Sequence, residues 1–171
     1  MSKSKIKKFV NKLVGINALY PMGLALVISF VVSRNFLIAP FVGLAAYCSW
    51  RIFVGDIKLR KISNLDLFGL LLSGLAIYLL ISPFDVSILR SVIVFLIGWG
   101  MFQLFEGDIG GGDVRLLTVA ALFLNVVQLL AAISLASAVG MLVAWQFKIK
   151  RVPFGSLLIV AFWLSFWIVR L

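Results

Sequence analysis

The sequence contains no histidine, a single cysteine and only six aspartates and glutamates among 171 residues. The missing histidine excludes Ser-His-Asp chemistry and imidazole metal sites. Cys48 alone makes neither an internal disulfide nor a thiolate zinc site, and it reads as a small buried apolar side chain inside an apolar run. No metal and no cofactor are expected. No hydrophilic stretch is long enough to form a second domain.

What the chain has in excess is apolar surface. Hydrophobic residues make up 63% of it, and its mean hydropathy is +1.17. A soluble domain this apolar has too little polar surface to cover its core. The expected class is an all-α polytopic membrane protein with about six to seven transmembrane helices and short loops. Residues 1–171 form one membrane domain. The net charge is +10, with its Lys and Arg gathered in short clusters at 3–12, 58–61 and 148–151. Such clusters set topology and attract anionic lipid. They make no folded basic face, so nucleic acid is not an expected partner.

Residues 1–17 read as a basic cytosolic arm, and the apolar run 18–32 is short for a span. Together they resemble a signal peptide, but no small-residue cleavage site follows directly. An uncleaved first helix is expected, with an interfacial helix as the alternative. Runs 36–54, 65–81, 88–105 and 154–169 read as spans, and Ser82 to Asp85 as a turn. Run 116–147 is too long for one helix and is expected to break near Asn125. Trp163 and Trp167 are candidate interface anchors, or lipid-facing bulk. Gly23, Gly43, Gly69, Gly74, Gly98, Gly100 and Gly140 are candidates for close helix packing.

With the N-terminus inside, segments 1–17, 55–64, 106–113 and 148–153 are cytosolic and carry most of the Lys and Arg. This topology puts Asp56 and Asp113 at the same, cytosolic, face. Asp113 closes an unusual stretch, Glu106 to Asp113, which holds three of the six acids and four glycines. An acid at the mouth of a membrane helix is a functional candidate. Two carboxyls brought close do not both ionise cheaply. The ionised one activates water and the protonated one hydrogen-bonds a peptide carbonyl, which is the division of labour in an aspartic protease. Gly110, Gly111 and Gly112 would leave room for an extended substrate backbone. Composition and spacing leave other readings open. The acids can act as helix caps, as the ion site of a small transporter or channel subunit, or as part of a non-catalytic secretion-system scaffold. A Ser-Lys peptidase lacks a persuasive pair.

Gly110-Gly111-Gly112-Asp113 matches the G-x-G-D motif of the type IV prepilin peptidase family, which includes archaeal preflagellin peptidases. Val114-Arg115-Leu116-Leu117 resembles that family's V-K-L-L continuation, with Arg for Lys. Asp56-Ile57-Lys58-Leu59-Arg60-Lys61-Ile62-Ser63-Asn64 resembles its first motif, with Ser63 where Pro is usual. That departure is expected to loosen the loop without touching the acid. The resemblance gives a protease-like core over residues 36–150. It implies that Asp56 and Asp113 are catalytic and that Asp108, lacking the first motif glycine, is not. The implied reaction removes a short basic leader from a prepilin-like precursor at the cytosolic face of the inner membrane. The precursor's apolar helix would lie among the spans. The compact size, without a four-Cys zinc insert, resembles the short forms of tight-adherence pili or the archaeal enzymes. No S-adenosylmethionine signature is present, so methylation is not assigned. Glu106 and Asp108 are expected to receive the leader's cations, at about 1 kcal/mol per pair. The alternative role for these two is to keep the loop soluble.

Overall fold

The computed structural model describes residues 37–81, 87–104, 110–148 and 152–168, with Gly23 and Val27 as isolated helical positions. The expected arm, most of the first apolar run, the turn after Ile81, Glu106 and Asp108 lie outside the described residues. Among the described residues the chain is all-helical. Its six helices are α1 (Ala39–Leu59), α2 (Asn64–Ile81), α3 (Ser87–Leu104), α4 (Gly111–Phe123), α5 (Val126–Phe147) and α6 (Phe154–Ile168).

Local chemistry sets the boundaries. Pro40 stands in the first turn of α1, where its missing N–H costs nothing. Arg60 ends α1 in the left-handed region at φ 51°, donating its N–H to the Asp56 carbonyl. The helix therefore runs through Asp56, which lies in its last turn and not after its end as expected. The long run does break near Asn125. That side chain accepts from the Gln128 amide while Gln128 reaches back to the Asn125 amide, a capping box at the start of α5. Caps of this kind contribute about 1 kcal/mol each.

Among the described residues, two helices are long and apolar enough to cross a membrane, Ser87–Leu104 and Val126–Gln146. Only 11% and 17% of these windows are buried, so both present apolar side chains outward. The core lies where α1, α2, α4 and α6 meet through Ile52, Leu70, Leu116, Leu158, Phe162 and Phe166, with Leu129, Ala132 and Ala136 of α5 packed into it. Glycines permit the close crossings. A Cβ on Gly69 would stand 2.6 Å from the Cys48 sulfur, one on Gly74 2.8 Å from the Phe123 ring, and one on Gly98 2.9 Å from Val114. Gly140 meets Leu157, whereas a Cβ on Gly23 or Gly100 would meet nothing within 4 Å. Trp163 stacks edge-on with Phe162 and Phe166, so it belongs to the core packing and not to an outer belt. The Trp167 side chain lies outside the described residues.

Polar links hold the helix pairs in register. Arg51 pairs with the buried Asp66 at 3.1 Å, joining α1 to α2. Arg90 donates to the Ala121 carbonyl at 2.9 Å, and Ser91 to the Thr118 carbonyl at 2.5 Å, joining α3 to α4. Both α3–α4 links lie toward the C-terminal end of α4. Its N-terminal end also meets the turn after α1 and the start of α6.

Candidate active site

Asp56 and Asp113 are brought together from 57 positions apart by helix ends that converge on one glycine. Asp56 belongs to the last turn of α1 and Asp113 to the first turn of α4. Gly155, in the first turn of α6, lies between them. A Cβ placed on Gly155 would stand 3.1 Å from Asp56 Oδ2, 3.2 Å from Asp113 Oδ1 and 3.0 Å from Ile62 Cδ1. The two carboxylate oxygens are thus no farther apart than the sum of the first two distances, about 6.3 Å. The two carboxyls therefore face one small region beside the Gly155 backbone. Any side chain at 155 would push into it.

The surroundings of the two acids differ. Asp56 is 6% exposed. Its Oδ2 accepts the Ser156 backbone N–H at 2.6 Å and the Ser156 hydroxyl at 2.8 Å. It therefore caps the N-terminus of α6, where unpaired amides and the helix dipole favour an anion. Asp113 is half-buried, and no hydrogen-bond donor among the described residues reaches its side chain. Its Oδ2 rests 2.8 Å from where a Gly110 Cβ would be, so that position needs glycine. Asp113 lies ahead of the apolar run of α4. Burial, and secondarily the Asp56 carboxylate, push its carboxyl up from 3.8 to about 6.

The other glycines of the motif meet this chain's own side chains. Gly111 faces Phe102, and Gly112 packs on Ile62, whose branched side chain also touches the Gly155 position. Both are helical residues of α4, not loop residues. Gly110 is the extended residue before the helix, and it lines a cleft of about 890 Å³ with Asp113. The floor of this cleft is Val114 and Leu117 of α4; its walls include Ile93 and Ile97 of α3 and Leu129 and Ile133 of α5. A second groove of about 590 Å³ runs along the end of α1, rimmed by Arg51, Lys58 and Lys61.

Two features of the site escape a reading of the sequence. Gly155 and Ser156 stand 99 and 100 positions from Asp56, and the only local hint is Pro153 just before a helix start. Arg115 donates to the Asn64 side chain at 2.9 Å, tying the start of α2 to α4 two residues beyond Asp113. Both residues stand in the quoted motif segments, yet nothing in their spacing announces the bond. Among the described residues, no cluster of His, Cys, Asp and Glu is suited to hold a metal ion.

The family model described as the type IV leader peptidase family matches residues 43–145, more than half of the chain. No curated protein and no solved structure matches.

Proposed function

The chain belongs to the type IV leader peptidase family, a family of peptidases, and we propose that it works as an aspartic endopeptidase with Asp56 and Asp113 as its catalytic pair. The observation that carries this reading is the meeting of both carboxyls at Gly155, with oxygens of both within 3.2 Å of one Cβ position. Asp113, held protonated up to about pH 6, donates to the scissile carbonyl. Asp56 takes the proton of the attacking water and returns it to the leaving amine. No metal or cofactor takes part in these steps.

The substrate is a prepilin-like precursor with a short basic leader and an apolar segment. The apolar segment lies in the cleft between α3, α4 and α5, which ends at Asp113. The groove along the end of α1 carries Lys58 and Lys61, with Arg51 paired to Asp66, and its net positive charge repels a basic leader. Glu106 and Asp108, adjoining the Asp113 motif, receive it. The protein is multi-pass in the cytoplasmic membrane, with its N-terminus and both acids on the cytosolic side. The exposed apolar faces of α3 and α5 support the membrane placement, and the Lys and Arg clusters support the orientation.

The test is co-expression of wild type, Asp56→Asn or Asp113→Asn with a precursor bearing a short basic leader, read as a gel shift. Each variant is expected to lose at least about a thousandfold in cleavage while remaining in the membrane, the scale of losing one member of a catalytic pair. Cleavage by either variant at near wild-type rate removes the pair from the reaction.

A further inference from the structure

Ser156 is 1% exposed, and three contacts surround its polar groups. Its amide and its hydroxyl both reach Asp56 Oδ2, at 2.6 and 2.8 Å. The same hydroxyl oxygen stands 3.2 Å from the Phe53 carbonyl, one turn earlier on α1. A serine hydroxyl has one proton, so it donates to only one of these acceptors at a time. When Asp56 is ionised, the proton goes to the carboxylate. When Asp56 carries a proton, the acid donates to Ser156 Oγ and the serine proton turns to the Phe53 carbonyl. All three oxygens keep a partner in both states, so neither state leaves a buried polar group unpaired.

We propose that Ser156 is a positioning residue for Asp56, holding the same carboxyl geometry whether Asp56 is ionised or protonated. The assignment rests on the protease reading only for its purpose. A general base that gains and then loses a proton in each turnover must keep its orientation through both steps. Ser156 meets that need by reversing the direction of one hydrogen bond, without moving a heavy atom. It lies outside residues 43–145, so the family match does not include it.

The charged groups around Asp56 are few. Helix α6 carries no charged residue, and α2 carries Asp66, already paired with Arg51. Helix α4 carries Asp113 and Arg115, the latter engaged with Asn64. The end of α1 and its turn carry Lys58, Arg60 and Lys61. Removing Asp113 therefore isolates the serine contact from its nearest titrating neighbour.

The experiment observes the aspartate carboxyls of full-length protein by carbon NMR after selective labelling, in acid and at neutral pH. The chain has only five aspartates, so the resonances are few enough to assign by substitution. In an Asp113→Asn background the Asp56 resonance is expected to be one narrow line at both pH values. Ser156→Ala is expected to broaden or split it at both, because the carboxyl loses the partner that orients it in either state. Ser156→Thr keeps the hydroxyl and is expected to restore the narrow line. Ser156→Cys, a weaker donor of similar size, serves if the alanine variant does not fold and is expected to fall between. With Asp113 intact, Ser156→Ala is expected to lower kcat about tenfold with KM unchanged. An Asp56 line in Ser156→Ala as narrow as in the parent at both pH values, or one in Ser156→Thr as broad as in Ser156→Ala, overturns the assignment. Because the NMR measurement needs no substrate, absence of cleavage by the wild type would defeat the protease reading without deciding this one.

Discussion

Asp56 and Asp113 are the same residue type, each at a helix end, each against Gly155, and they are housed in opposite ways. Asp56 faces into another helix and finds two donors on one oxygen. Asp113 lies over its own helix start, beside an apolar cleft, with no donor among the described residues. A carboxylate supplied with donors suits the role of proton acceptor. A carboxyl denied them keeps its proton to higher pH. Neighbours, not identity, thus set the two aspartates apart, one supplied with donors and one denied them.

The largest expected consequence of that difference is in stability. The fold holds the Asp113 proton more tightly than the unfolded chain does, with its carboxyl raised from 3.8 to about 6. The Asp113 contribution to stability is therefore fully present below pH 3.8, declines as pH rises to about 6, and is lost beyond. The full difference amounts to at most about 3 kcal/mol. Asp113→Asn abolishes that decline and should unfold at higher temperature than wild type at pH 7.5, while matching it in acid. Thermal unfolding in detergent at both pH values measures this. A variant less stable than wild type at pH 7.5 would mean that ionised Asp113 is favourably placed.

The shared glycine is next. In Gly155→Ala the added methyl meets Ile62 and both carboxylates at 3.0–3.2 Å, tighter than ordinary contact, so these neighbours must give by a few tenths of an ångström. Misplacement of catalytic groups by about 1 Å costs roughly a hundredfold, so a fraction of that shift costs roughly tenfold. Gly155→Ala is expected to lose about tenfold in kcat/KM while keeping the thermal stability of the parent within a few degrees. Activity within twofold of wild type would show that the space between the acids is not where the bond is cut. A smaller effect follows from pH. If protonated Asp113 is the acid, kcat/KM should fall about tenfold per pH unit above about 6. A flat profile to pH 8 assigns the proton to another group.

Much of the bundle was legible because its signals are local. The expected run 65–81 became α2 at Asn64–Ile81, and the break at Asn125 follows from one capping side chain. The misreadings occur where tertiary contacts overrule local preference. Gly111 and Gly112 favour a loop by propensity, yet packing on Phe102 and Ile62 draws them into the first turn of α4. Asp56 looked like a residue beyond a helix end, because the stop signal is the left-handed Arg60, a conformation arginine does not advertise. The motif resemblance singled out both acids. The partner that tells them apart, Ser156, lies a hundred residues from Asp56, beyond any spacing rule.

The smallest expected effect concerns how Asp113 is held at all. Asp56 is gripped directly by Ser156, whereas no donor among the described residues grips Asp113, and the nearest polar tether is the bond from Arg115 to Asn64. That bond is exposed, so its contribution is about 0.5–1 kcal/mol. Arg115→Ala and Asn64→Ala should each lower kcat/KM about threefold, and the double variant should be no worse than either single one. Losses that multiply in the double variant would mean that the two residues act separately. Asp113 would then be positioned by the packing of α4 alone, through Gly98 on Val114 and Gly112 on Ile62. In that event the two acids differ more deeply than their donors suggest, one fixed by hydrogen bonds and the other by close packing of glycine against side chains.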